Sequence, residues 1–375
     1  MSDRLEAILA DGVPRVCSAA VALIAVDGSV AAASAAGELV RYADAQGSLA
    51  DDRPPASRDS IFDLASVSKL FTTAVLLSLA EEGRLGLDEP VASWIPGRDP
   101  RITPRRLLTH TAGLTPTRRV DLELPAAGPA ERMAAMLDTP ITHPVGGPYL
   151  YSDVGMVMAG RLAELTGGAP LDALVRARVT GPLGLPDTGY RPVGPVGPLG
   201  PVGPGGPGGP GGEPSPRPGR PVARVAATEW KPERPGPGCV RGAVHDETAY
   251  ALGGVAGHAG LFAPADDLLT FGEALRLGGG PVLRPQSVAE MVRDQGAEGA
   301  PFRHGLGVRI GDPGIVGPLA GAYGHSGFTG TSLVVDPARG LTVVLLTNAV
   351  HPVRGRDGIR ELRHAIAAEA LRLTS

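Results

Sequence analysis

The chain has 375 residues, a hydrophobic fraction of 43%, a charged fraction of 20% and a formal net charge of -4. This length suffices for one large domain, or two lobes, with a substantial core. The weak net charge and an aromatic fraction of only 4% argue against a nucleic-acid partner. The two cysteines, Cys17 and Cys239, form no metal motif and no disulfide framework, so we expect two free thiols.

The first sixty residues predict a helix over 3–10 and then a hairpin with strands over 19–26 and 30–36. Asp27 and Gly28 form the turn signal between those strands. The N-terminus shows no basic region followed by a long apolar core, as a signal peptide would. No segment approaches the ~18–20 uninterrupted apolar residues of a membrane span. We therefore expect a cytoplasmic protein with no membrane partner.

The middle of the chain is predicted to be mainly helical. An apolar run over 66–80 is hydrophobic nearly all round, which is typical of a buried helix. Further helices are expected over 102–113, 154–165 and 171–179, the first with a threonine cap and a proline in its first turn.

Residues 191–222 form a Gly/Pro-rich insertion, in which glycine falls at every third position from Gly194 to Gly212. This period resembles collagen, so the segment has two interpretations. It is a flexible, polyproline-like surface insertion, or a short trimerising or partner-binding segment. The run is short and its third triplet position is never proline, which favours the first interpretation.

The last hundred residues predict a helix over 266–277 capped by Asp266, strands over 333–335 and 341–346, and a closing helix over 360–373. With strands at both ends, the economical fold is a mixed α/β (α+β) domain. Its single antiparallel sheet is assembled from both termini, flanked by helices, and lies beside a helical lobe. We expect one domain over 1–375, with a sheet lobe over 1–60 and 223–375 and a helical lobe over 61–190.

The first candidate site is Ser66 with Lys69. Three residues are nearly one helical turn, so both side chains share a face. A serine hydroxyl is a poor nucleophile until its proton is removed, and a lysine held beside it in a desolvated site assists that removal. The pair alone is weak support, because many helices contain it by chance.

The second candidate site is the segment Tyr151, Ser152 and Asp153, just before a helix. A lysine ammonium beside a phenol favours the phenolate, which accepts the serine proton and later returns it to the leaving group. The alternative is that Tyr151 packs at the start of the helix while Ser152 or Asp153 caps it.

The third candidate site includes His325, Ser326, Gly327 and Phe328, between further glycines. Glycine at 327 would let a substrate backbone approach an edge strand closely. The N–H of the following residue would complete an oxyanion hole with that of Ser66. The alternative is an ordinary glycine-rich turn.

Taken in chain order, these Ser-Val-Ser-Lys, Tyr-Ser-Asp and His-Ser-Gly sites resemble the serine β-lactamase-like, penicillin-recognising hydrolases. That family includes class C β-lactamases, D-alanyl-D-alanine carboxypeptidases and related esterases. Segments 107–114, 183–188 and 253–262 are similar to further segments of the family. The resemblance spans residues 15–370 apart from the insertion, and it implies a β-lactamase/transpeptidase-like fold.

The resemblance also implies roles for these residues. Ser66 would be the acylated nucleophile, Lys69 would lower the proton affinity around it, and Tyr151 would be the general base and acid. The backbone N–H groups of Ser66 and Phe328 would hold the oxyanion. His325 would stand where many relatives carry lysine, hydrogen-bonding substrate or tuning Tyr151.

Ser326, Gly327 and Asp153 would line the substrate. No metal or organic cofactor is implied, and the partner would be a small ester, amide or peptide.

Two departures bear on the substrate: Asp153 replaces the asparagine usual in β-lactamases, and His325 replaces lysine. A carboxylate donates no amide-type hydrogen bond, and a histidine is only partly charged at neutral pH. Both changes favour a neutral ester or amide over a penicillin, unless Asp153 instead balances Lys69.

Three other histidines are predicted to be structural. His110 follows a helix within a family segment, and His258 lies between glycines as a buried histidine. His245 with Asp246 and Glu247 could hold a metal, but the sequence offers no spaced fourth ligand.

The sequence thus predicts a serine hydrolase that forms an acyl-enzyme on Ser66, of esterase or D-amino-acid peptidase type. The alternatives are a β-lactamase, a non-catalytic acyl-sensing protein that stays acylated, and an interaction protein that uses the Gly/Pro insertion. The sequence indicates no oligomeric state.

Overall fold

The computed structural model describes residues 3–190, 222–234 and 238–374. The strands are β1 (Ala19–Val26), β2 (Ser29–Gly37), β3 (Phe62–Asp63), β4 (Gly189–Tyr190), β5 (Ala227–Trp230), β6 (Cys239–Arg241), β7 (Leu261–Ala263), β8 (Arg303–His304), β9 (Arg309–Ile310), β10 (Tyr323–Ser326), β11 (Ser332–Asp336) and β12 (Leu341–Thr347). The α-helices are α1 (Asp3–Gly12), α2 (Ser68–Glu81), α3 (Pro104–Leu108), α4 (Val120–Glu123), α5 (Pro129–Leu137), α6 (Asp153–Gly167), α7 (Leu171–Val175), α8 (Glu247–Ala251), α9 (Ala265–Arg276), α10 (Pro285–Met291), α11 (Pro313–Val316) and α12 (Ile359–Leu373).

A seven-stranded antiparallel sheet joins the two ends of the chain in the order β2-β1-β12-β11-β10-β9-β8. The join is the pairing of β1 with β12, which runs from Ala20 opposite Thr347 to Val26 opposite Leu341. The β1–β2 turn has positive φ at both Asp27 and Gly28, as a tight hairpin requires. The predicted fold class is confirmed.

Both faces of the sheet are covered, which explains why β1 is a continuous apolar run rather than an alternating one. Ala20, Ala22 and Ile24 pack with α1 and α12 in one core cluster, and the alternate residues of β1 face the other cluster. In that second cluster α9 meets the helical lobe, where Phe271 stacks on Phe71 at 4.1 Å.

The predicted buried helix is α2, which is buried at every position from Ser68 to Leu79. It begins two residues later than expected, because a 3-10 turn over Ala65–Val67 precedes it. Ser66 therefore lies in that turn, two residues before the α-helix.

Two details differ from expectation. The N-cap of α9 is Pro264, and Asp266 lies in the first turn, where it pairs with Arg58 at 2.6 Å. Strand β10 is interior to the sheet, not an edge, because β9 and β8 follow it. However, β9 pairs only with Tyr323 and Gly324, so the half of β10 that contains His325 lacks a ladder partner on that side.

The predicted insertion over 191–222 lies outside the described residues apart from Val222, which begins a short 3-10 turn. Cys17 and Cys239 are both free thiols, as expected. Within the described ranges, no helix has the length and apolar character needed to cross a bilayer.

Candidate active site

A strained elbow positions Ser66. Ala65, just before it, has a φ of +45°, a conformation that L-residues with a side chain rarely adopt. The buried Asp63 carboxylate holds this turn by accepting hydrogen bonds from the N–H of Ala65 at 2.8 Å and from that of His245 at 2.7 Å. The elbow brings the serine to the start of α2.

The Ser66 hydroxyl lies against a buried ammonium. Lys69 Nζ donates a 2.7 Å hydrogen bond to Ser66 Oγ and a longer one, 3.3 Å, to the carbonyl oxygen of His258. It also lies 2.8 Å from Asp153 Oδ1, and the lysine side chain is fully buried. Nζ therefore faces at least three oxygen atoms, as many as it has N–H bonds.

The charge state of Lys69 is decided by its neighbours. Burial by itself lowers the pKa of the Lys69 ammonium, but attraction by Asp153 and Tyr151, together with their hydrogen bonds, outweighs burial and raises that pKa above its usual value. Lys69 is thus a cation at neutral pH. It can donate to Ser66 but has no lone pair with which to take the serine proton.

The three side chains of segment 151–153 have different contacts. Ser152 caps α6, accepting from the N–H of Gly155 at 3.0 Å and donating to the carbonyl of Thr115 at 2.7 Å. Asp153 is thereby free to pair with Lys69. The Tyr151 ring centroid lies 4.9 Å from Lys69 Nζ, so the phenol borders the same cation as Ser66.

His110 fixes the backbone of this segment through a hydrogen bond to Ser152. Its Nδ1 accepts a 3.1 Å hydrogen bond from the N–H of Ser152, and its ring lies 4.6 Å from that of Tyr151. Burial first, and then the nearby His304 and Lys69, keep the pKa of His110 well below its usual value. A neutral, buried His110 that fixes the turn before α6 agrees with the structural role predicted for it.

His325 lies on β10 across from Tyr151, with ring centroids 6.2 Å apart. Its Nδ1 lies 2.8 Å from the carbonyl of Ser326, and Nε2 has no hydrogen-bond partner among the described residues. Burial, and then the cations Arg309 and Lys69, lower the pKa of His325 well below its usual value. His325 is therefore neutral, with Nδ1 as the donor and Nε2 as an available acceptor.

Gly327 lies where the β10 segment meets the elbow. A Cβ added there would lie 2.3 Å from Thr331 Oγ1 and 2.4 Å from the carbonyl oxygen of Leu64, so only glycine fits. Phe328 follows it with 60% of its surface exposed. The Phe328 ring stacks on His245 at 5.8 Å and lies 5.5 Å from the Arg354 guanidinium. The segments of Ser66 and Phe328 are thus adjacent, as a shared oxyanion hole requires.

The sequence analysis missed Arg309. On β9, opposite Gly324, its guanidinium lies 4.9 Å from the Tyr151 ring centroid and 3.2 Å from Asp312. It is a permanent cation near His325, which it helps to keep neutral. No local signal could have found it, because only the β9–β10 pairing brings residue 309 to the site.

The remaining predicted structural histidines are engaged elsewhere. His258 Nε2 lies 2.8 Å from Asp246 Oδ1, and His245 Nε2 lies 2.9 Å from Glu229 Oε2. Glu247 pairs with Lys231 at 2.6 Å. In the part of the chain that the structure describes, no group of three or more His, Cys, Asp or Glu side chains is arranged to hold a metal ion.

The sequence profile of the family described as "Beta-lactamase" matches residues 12–368. The chain belongs to the Beta-lactamase family. Among the curated relatives of this family member is an Escherichia coli K12 protein named "Putative D-alanyl-D-alanine carboxypeptidase". The two are 30% identical over 365 residues, which is 88% of this chain and 78% of the relative.

Two solved structures share the fold of this Beta-lactamase family member. EstCE1, described as a hydrolase with promiscuous acyltransferase activity, superposes with a TM-score of 0.69 at 23% identity, covering 96% of this chain and 98% of EstCE1. A D-stereospecific amidohydrolase from Streptomyces sp. superposes with a TM-score of 0.59 at 25% identity, covering 92% and 93%. The family and its relatives show that the chain is a hydrolase of the serine type.

Proposed function

We propose that this protein hydrolyses a small ester or amide through an acyl-enzyme on Ser66. The observation that carries this proposal is the buried Lys69 ammonium, which pairs with Asp153 at 2.8 Å and donates to Ser66 Oγ at 2.7 Å. Because Lys69 cannot accept the serine proton, the base must be another group. Tyr151 borders the same ammonium, with its ring centroid 4.9 Å from Lys69 Nζ, which makes it the candidate base.

In the acylation step, Ser66 Oγ attacks the carbonyl carbon while its proton passes to the Tyr151 phenolate. The tetrahedral oxyanion is held by the N–H groups of Ser66 and Phe328. On collapse, the carbon bond to the leaving oxygen or nitrogen breaks, and Tyr151 returns the proton to that atom. Water then repeats the sequence with Tyr151 as base, releasing the acid and restoring Ser66.

The charges of the site bear on the substrate class. Asp153 pairs with Lys69 at 2.8 Å, so it is balanced and does not act as a free anion against the substrate. His325 is neutral and offers an acceptor at Nε2. A substrate with a neutral ester or amide next to a hydrogen-bond donor suits this arrangement.

Arg309 favours a second candidate, a carboxypeptidase-type activity on a D-amino-acid peptide. The terminal carboxylate of such a peptide would pair with a cation near the general base, and Arg309 is a cation at that place, about one-fifth exposed. The name of the Escherichia coli relative points in the same direction.

The test is hydrolysis of a short-chain p-nitrophenyl ester, a D-alanyl-D-alanine dipeptide derivative and a chromogenic cephalosporin by the wild-type protein and Ser66→Ala. We expect turnover of the ester or of the dipeptide, with loss of at least about a thousandfold in Ser66→Ala. Ser93→Ala, at an exposed serine, is the matched control and should keep full activity.

Intact mass after mixing with substrate separates the alternatives. A short-lived adduct that depends on Ser66 supports catalysis, whereas an adduct that persists without turnover identifies an acyl-sensing protein. Rapid cephalosporin turnover would instead identify a β-lactamase. Full activity of Ser66→Ala would overturn the proposal.

A further inference from the structure

Arg363 of α12 is a buried arginine without a carboxylate beside it. The residue is 9% exposed, and among the described residues it forms no ion pair with Asp or Glu. Burial lowers the pKa of its guanidinium to about 10, so the group is still charged at neutral pH. A buried cation without a counter-ion is costly unless other groups solvate it.

Two backbone carbonyls take the place of a counter-ion. Arg363 Nη2 donates to the carbonyl oxygen of Thr331 at 3.1 Å and, more weakly, to that of Gly327 at 3.4 Å. The Gly327 carbonyl also accepts from the N–H of Gly330 at 3.0 Å, so Arg363 is its second donor and the one that carries a charge. The second contact matters for chemistry, because the C=O of Gly327 and the N–H of Phe328 belong to one peptide group. A positive charge at the oxygen end of a peptide polarises it and strengthens the N–H at the other end as a donor.

The loop that contains this peptide is fastened to the nucleophile elbow. The N–H of Gly327 donates to the carbonyl of Thr331 at 2.8 Å, closing the loop that Arg363 binds at both ends. Thr331 Oγ1 donates to the carbonyl of Leu64 at 3.0 Å, and Thr329 Oγ1 to that of Asp63 at 2.7 Å. The loop, and with it the Phe328 N–H, is therefore set relative to the turn that presents Ser66.

We propose that Arg363 is a positioning residue for the oxyanion hole, which orients the Gly327–Phe328 peptide and strengthens its N–H as a donor to the oxyanion. This inference rests on the proposed acyl-enzyme on Ser66. It gives the C-terminal helix α12 an electrostatic share in the chemical step. This helix packs on the face of the sheet that looks away from the helical lobe.

The experiment compares Arg363→Met, which removes the charge at similar length, with Arg363→Lys, which keeps it. Arg360→Met is the matched control, since it removes an exposed arginine from the same helix. Each protein is acylated with a slowly hydrolysed ester labelled with ¹³C at its carbonyl, and the infrared stretch of the acyl carbonyl is recorded beside kcat and KM. Strong oxyanion-hole hydrogen bonds lower that stretching frequency.

For Arg363→Met we expect kcat to fall about 10- to 100-fold with KM nearly unchanged, and the carbonyl band to move to higher frequency. Arg363→Lys should lie between that variant and the wild type, and Arg360→Met should match the wild type. If Arg363→Met does not fold, the band of the Lys variant decides.

An unchanged kcat in a folded Arg363→Met variant would overturn the inference. So would a loss of kcat and melting temperature without movement of the carbonyl band, because that result describes a structural role alone. Failure of the underlying function looks different: the wild-type protein would then show no adduct on Ser66 by intact mass, whatever residue 363 is.

Discussion

The two walls of the candidate site handle charge differently. The helical wall consists of Ser66, Lys69, Tyr151 and Asp153, and its buried cation has its own carboxylate at 2.8 Å. The sheet wall consists of Arg309, His325, Gly327 and Phe328, with a neutral histidine and a partly exposed guanidinium. One wall holds a fully buried cation with its carboxylate, and the other presents a partly exposed ion pair of Arg309 with Asp312 beside a neutral histidine.

This difference separates chemistry from recognition. The balanced helical wall keeps Lys69 charged, so proton transfer there does not depend on the substrate's own charge. In the sheet wall, the Phe328 N–H would gain a partner when an oxyanion forms, and the partly exposed Arg309 guanidinium beside Asp312 would take a substrate carboxylate as a second partner. Substitutions in the helical wall should therefore lower kcat for every substrate, whereas those in the sheet wall should discriminate among substrates.

Among substitutions in the helical wall other than at Ser66, Tyr151→Phe should cause the largest loss of kcat. Removing the phenolic oxygen deletes the proposed proton acceptor while keeping the ring that lies beside Lys69 and His110. We expect kcat to fall about 10²- to 10⁴-fold with KM largely kept, measured with an ester and with a peptide substrate. Tyr250→Phe, at a tyrosine stacked under Arg234 and away from Ser66, is the matched control. An unchanged kcat would remove Tyr151 from the role of base.

Asp153→Asn should remove the negative charge that balances Lys69 in the helical wall. Asp153 is the strongest of the influences that raise the pKa of Lys69, while burial opposes them. With Asp153 neutralised, its attraction no longer opposes burial and the pKa of Lys69 falls, so the ammonium loses its proton at lower pH than in the wild type. The alkaline limb of kcat/KM should therefore move to lower pH.

The same variant should lose about 10- to 100-fold in kcat/KM at neutral pH, the worth of a hydrogen bond to a charged group. Asp138→Asn, at an exposed carboxylate paired with Arg98, controls for the general effect of removing a negative charge. An alkaline limb that stays in place in Asp153→Asn would show that the charge of Lys69 does not depend on this pair.

The helical wall was predictable because its residues are neighbours in sequence. Ser66 and Lys69 lie one turn apart, and Tyr151 and Asp153 flank a single cap, so short motifs indicate them. The fold class followed from strands at both ends of the chain with helices between, and the β1–β12 join confirms it. The elbow at Ala65 was not visible, because positive φ at an alanine has no compositional signal.

The sheet wall was only half predictable, for the same physical reason. Gly327 and Phe328 lie next to a recognisable motif, but Arg309 reaches the site through strand pairing and Arg363 through packing of the last helix. A single arginine among 35 lysines and arginines has no distinguishing pattern. Long-range register, which decides these positions, depends on the whole folded sheet.

Arg309→Met tests the sheet wall and should have the smallest but most selective effect. The change removes the cation near Tyr151 while leaving the charge balance of Lys69 with Asp153 in place. For a D-alanyl-D-alanine dipeptide derivative with a free carboxylate we expect KM to rise about tenfold, equivalent to ~1.4 kcal/mol. For the same compound with its carboxylate amidated, and for a neutral ester, KM should change little.

Arg303→Met, at an exposed arginine on the neighbouring strand β8, is the matched control. It should not change KM for the free or for the amidated dipeptide derivative. Equal losses with the free and amidated compounds would mean that Arg309 shapes the site around Tyr151 and Phe302 rather than binding a carboxylate. In that case the sheet wall would not select for charge, and the neutral ester or amide would be the better description of the substrate. A selective loss would instead favour the carboxypeptidase-type activity, because only the compound with a free carboxylate would pair with the Arg309 guanidinium.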